Sequence, residues 1–162
     1  MKRWLILAVT VVSLSIAYTA NVPDVKEGLW SVHTTTINNP GNQRSEGTYT
    51  LCRNHAFDEA VLARAKNMKN CTIVHENMRG SEYSTQTHCV IGSTVIETKG
   101  TVTFQADTAF HSESHGTYTP AMGGISDMTI IMDQKYIGSC PAGQQPGDQT
   151  NADGTVMHLG KR

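Results

Sequence analysis

From Cys71 onward the chain alternates between short β-type runs and turn signals at a spacing of roughly ten residues, and this rhythm limits the fold more than any other feature. CTIVHEN is followed by the turn signal RGS, then EYSTQTHCVI, GS, TVIETKGTVTFQA, AFHSESHGTY and, after a Pro-Ala-Met-Gly-Gly loop, DMTIIMDQKYIG. Upstream, GLWSVHTTTIN puts Trp30, Val32, Thr34 and Thr36 on one face with period two. The turn-rich Asn38-Asn39-Pro40-Gly41-Asn42 then leads into EGTYTLC as a hairpin return. Runs of this kind predict a mainly β fold: an antiparallel meander closing into a small barrel or a sandwich. One segment breaks the rhythm. In residues 56–68, AFDEAVLARAKNM, Phe57, Val61, Ala65 and Met68 recur at helical spacing. Asn54 suits the N-cap, and the stripe is expected to cover a sheet face or a barrel mouth.

The ends of the chain differ from its middle. Lys2 and Arg3 precede an uncharged, mostly apolar run from Trp4 to Ala17, with small residues up to Ala20. This is the layout of a secretory signal peptide over residues 1–20, too short for a membrane span and leaving no stable anchor after cleavage. Residues 21–140 then form a single β-rich domain. PAGQQPGDQTNADG opens a tail, 141–162, that has little to bury and is expected to be disordered.

Charge narrows the partners. Removing residues 1–20 leaves 11 basic against 14 acidic side chains, a net charge of −3 with no long block of one sign. Such a surface does not draw nucleic acid by long-range attraction. All four cysteines, Cys52, Cys71, Cys89 and Cys140, lie in the mature part. An even count in an exported chain reads as two disulfides, and the spacings of 19, 18 and 51 residues hold no Cys-x-x-Cys pair for zinc.

The most reactive-looking stretch is FHSESHGTY. In a strand, His111, Glu113 and His115 share a face, but His111 and His115 then stand about 13 Å apart, beyond chelating one ion. There is no G-x-S-x-G elbow, H-E-x-x-H helix or phosphate-binding glycine loop. No catalytic, metal or cofactor residue is therefore assigned. The candidate ligand cleft is apolar: Trp30, Phe104, Ile130 and Met132.

Gly28-Leu29-Trp30, a cysteine before a short acidic helix (Cys52 with Asp58 and Glu59), cysteines bracketing a hairpin (Cys71, Cys89) and the ending Ile137-Gly138-x-Cys140 occur here in a set order. Over about residues 25–140 this arrangement resembles the exported bacterial proteins grouped as the domain of unknown function family 3617. The resemblance implies a mainly β envelope protein with four cysteines and no assigned activity. This chain departs from the family's habit of a methionine- and proline-rich stretch after the first strand, having TTTINNPGN there, and of a more basic run before Ile-Gly.

Four cysteines allow three pairings. Folding CTIVHEN against EYSTQTHC about Arg79-Gly80-Ser81 makes residues summing to 160 face each other, which sets Cys71 opposite Cys89. Three strands after Cys89 carry Cys140 to the other end of the sheet. This favours Cys71–Cys89 with Cys52–Cys140. Cys52–Cys71 with Cys89–Cys140 remains the alternative if the helix folds straight back.

These features lead to the expectation of a periplasmic or secreted binding module for a small apolar ligand. The alternatives are an envelope scaffold that docks a protein on a strand edge or helix face, and a hydrolase assembling His and Glu from different strands.

Overall fold

The structure, a computed structural model, describes residues 22–159. The expected signal peptide lies outside the described residues. The chain runs β1 (Gly28–Asn39), β2 (Gln43–Arg53), α1 (His55–Lys66), β3 (Cys71–Arg79), β4 (Glu82–Ile91), β5 (Thr94–Gln105), β6 (Ala109–Met122), β7 (Ile125–Gly138), β8 (Asp148–Asn151) and β9 (Val156–His158). All nine strands join one sheet in the order β3-β4-β5-β6-β7-β1-β2-β8-β9, and every pairing is antiparallel. The meander and the single helix are as expected, but closure is not. β3 and β9 are the sheet's two ends, with no pairing between them and no second sheet among the described residues.

The open sheet is nevertheless strongly curled. Tyr83 on β4 and Leu51 on β2 are five strand spacings apart in the sheet order, about 24 Å on a flat sheet. Both line one cavity of about 330 Å³. The concave face holds the core: Trp30, Tyr83 and Phe104, joined by Val25 from the lead-in, with Phe110 and Tyr136 packed against them.

The glycines of the GLW and Ile-Gly-x-Cys stretches meet here. Gly28 has φ +137°, and a side chain on it would collide with the Gly138 carbonyl and the Tyr136 ring. The ladder shifts at this point, so that Leu29 faces Gly138 while Trp30 faces Tyr136. Only glycine tolerates both that backbone angle and that approach.

The tail corrects the sequence reading. Instead of disorder after Pro141, β8 pairs with β2 through Leu51↔Gln149 and Tyr49↔Asn151, and β9 pairs with β8. The Gly147 amide donates to the Cys52 carbonyl at 2.8 Å. Asp148 accepts from the Gln145 amide at 2.9 Å and pairs with His158 at 2.6 Å, and these contacts hold its carboxyl below the usual aspartate range. Low hydrophobicity does not forbid such strands, because backbone pairing along the free side of β2 fixes them without a core of their own.

Candidate functional site

The cavity of about 330 Å³ lies between α1 and the concave face. Leu51, Val102, Phe104 and Phe110 come from the sheet, Phe57, Val61 and Leu62 from the helix, Val22 and Val25 from the segment before β1, and Leu159 from just after β9. The helix forms as its sequence dictates. Asn54 Oδ1 accepts the Phe57 amide at 2.9 Å, Asp58 occupies the first turn, and Arg64 and Lys66 occupy the last. It ends at Lys66, before the expected Met68, where the Asn67 side chain donates to the Ala63 carbonyl at 2.8 Å.

Its position is unusual for a helix with an apolar stripe. It leaves β2 and returns to β3, crossing the mouth of the curled sheet, yet buries none of its residues. Val61 remains 43% exposed although it faces the cavity. Twelve residues give a strap about 18 Å long. Ion pairs pin both its ends: Arg53 to Asp58 at 2.9 Å and Lys66 to Glu76 on β3 at 3.1 Å.

Arg53 and Asp58 are largely covered charges in the cavity wall, with 13% and 20% of their side chains exposed. Arg53 Nε and Nη2 both reach Asp58 Oδ1, and Nη1 donates to Gln134 Oε1 at 2.9 Å. The guanidinium also sits 5.3 Å from the centres of the Trp30 and Phe110 rings. Burial raises the Asp58 carboxyl above its ordinary range despite the opposing pull of Arg53. Tyr83 donates to Glu76 at 2.6 Å, and burial, followed by this hydrogen bond, pushes its hydroxyl upward. The polar groups of the wall are thus largely paired, and the space between them is apolar.

Of the four residues assigned to the cleft from sequence, Phe104 lines the cavity. Trp30 lies behind it, fully buried, with its indole N–H donating to the Lys26 carbonyl at 2.8 Å. Met132 and Ile130 share the concave face, opposite Thr34 and Thr36, but lie beyond the cavity. Arg53 and Tyr83 had no motif to mark them. The Phe57–Val61 stripe is visible in the sequence, but not that it stands off the sheet.

The histidine stretch lies on the other, convex face, and each histidine takes its own cross-strand partner. His111 Nδ1 meets Asp133 Oδ1 at 2.7 Å, and His115 Nδ1 meets Thr129 Oγ1 at 3.0 Å. Among the described residues no serine, threonine or cysteine lines the cavity under α1. Both cystines form, Cys52–Cys140 and Cys71–Cys89, consistent with an oxidising, extracytoplasmic location.

A search of curated proteins returns no match. The family described as protein of unknown function (DUF3617) matches residues 25–140, a span running from the buried Val25 to the Cys140 that closes on Cys52, and the chain belongs to that family.

Proposed function

We propose that the chain is an exported, periplasmic binding module that takes a small apolar ligand between α1 and the concave face. The observation that carries this reading is the apolar helix stripe held off an apolar sheet, with a cavity of about 330 Å³ between them. Uncovered apolar surface is unfavourable at about 25 cal/mol per Å², so an apolar guest recovers what the helix fails to bury. Arg53, Asp58 and Tyr83 are already paired within the protein, which favours an apolar guest over a polar one beside them. Among the described residues the cavity wall has no serine, threonine or cysteine, and the Tyr83 hydroxyl is committed to Glu76, which also supports binding over hydrolysis. Docking of a protein on the free edge of β3 has less support, since that edge carries a bulge between Ile73 and His75.

Val61→Asp tests the reading. Val61 is on the roof and 43% exposed, outside the buried core, so the melting temperature should stay within a few degrees of the wild type. Affinity for n-octanol, followed by calorimetry, should fall at least about tenfold, corresponding to about 1.4 kcal/mol. Unchanged affinity would remove the roof from the site.

A further inference from the structure

The concave face does not end with the cavity. Gln134 is in the cavity wall, and Met132, Ile130 and Met128 follow it at every second position of β7. At about 6.8 Å per pair of residues this strip runs about 20 Å from Gln134 to Met128. Most of its neighbours across the ladder are small: Ser112, Ser114 and Gly116 on β6, and Thr34 and Thr36 on β1, with Asn38 opposite Met128. Gly100 continues the row on β5 beside Ser114. All three β7 side chains are only half-buried, Met128 with the Tyr118 hydroxyl 4.0 Å from its sulfur.

Charge is segregated between the faces. The concave positions of β1, β5, β6 and β7 from Trp30 to Thr36, Thr98 to Phe104, Phe110 to Gly116 and Met128 to Gln134 carry no ionisable acid or base. Their convex counterparts include His33, Lys99, His111, Glu113, His115 and Asp133. An uncharged strip continuous with an apolar cavity is complementary to a hydrocarbon chain, and flexible methionines adapt to one without fixing its shape.

We infer that the ligand is a straight-chain, single-tailed amphiphile, with the first part of its tail in the cavity and the remainder along Met132, Ile130 and Met128. This rests on the cavity reading and extends it. At about 30 Å³ per water-sized group, the cavity holds roughly ten carbons, so longer tails must leave it along the strip.

The test is a series of n-alkanols from eight to sixteen carbons, titrated below their aggregation limits into wild type and Ile130→Thr/Met128→Thr. In wild type, affinity should rise by up to about fourfold per added methylene, and should continue to rise beyond ten carbons. The variant should lose the gain beyond ten carbons, while octanol, whose tail ends inside the cavity, reports that the cavity still forms. A wild-type plateau near ten carbons would overturn the strip and leave the cavity reading standing. No binding even of octanol would overturn the cavity reading itself. If a second copy covers the strip, the variant will convert a dimer to a monomer without altering the chain-length dependence, and that result also overturns the proposal.

Discussion

Replacing Cys52 and Cys140 together by alanine is expected to lower the unfolding free energy by roughly 4–5 kcal/mol in denaturant titrations without reductant. The bond spans 88 residues, so its loss frees a large part of the unfolded chain. Cys71–Cys89 spans only 18, and the matching double substitution should cost about 3 kcal/mol. The order follows from topology as well as loop length. Cys71 and Cys89 already face each other in the β3–β4 ladder, whereas Cys140 lies past the end of β7 and is tied to β2 across β1. Equal losses from the two pairs, or a larger one from Cys71–Cys89, would mean that the long cross-link does not constrain the chain as described.

Trp30→Ala should cost about 3–5 kcal/mol, comparable to the whole stability of a weak domain. The side chain is fully buried, with Phe110 at 5.6 Å and Tyr136 at 6.2 Å between ring centres. Its N–H holds the lead-in at Lys26, whose own amide donates to the Asp107 carbonyl at 2.8 Å. Trp30→Phe should recover most of the packing but not the indole hydrogen bond, leaving a deficit of about 1–2 kcal/mol. Thermal unfolding of the pair separates the two contributions. A loss below about 1 kcal/mol for the alanine variant would show that the core lies elsewhere.

What the sequence made legible depended on how local the deciding physics was. Strand rhythm and the N-cap at Asn54 are local, and both were readable. The Cys71–Cys89 register was readable too, but through two offsetting features. Arg79 pairs with Glu82, a sum of 161, and the bulge between Ile73 and His75 shifts the ladder to the expected 160. The tail was misread because its order comes from a partner: β2 leaves one side unpaired by β1, and Asp148–Asn151 fills it. Composition reports what a segment can bury, not which edge is waiting for it. The helix shows the same limit. Its stripe at Phe57 and Val61 was visible, but the gap beneath depends on how far the sheet curls and on where Arg53 and Lys66 anchor the ends. Ile130 and Met132, read from the sequence as cleft residues, lie beyond the cavity, and no local pattern distinguishes them from Phe104, which lines it.

The claim on which the rest depends is that the space under α1 takes an apolar guest. Backbone amide chemical-shift mapping during an n-octanol titration tests it most directly. Shifts should concentrate at Phe57, Val61, Leu62, Val102 and Phe104, with the convex residues His33, His111 and Asp133 unmoved. Saturation without movement at the helix and β5 positions, or movement confined to the convex face, would contradict it.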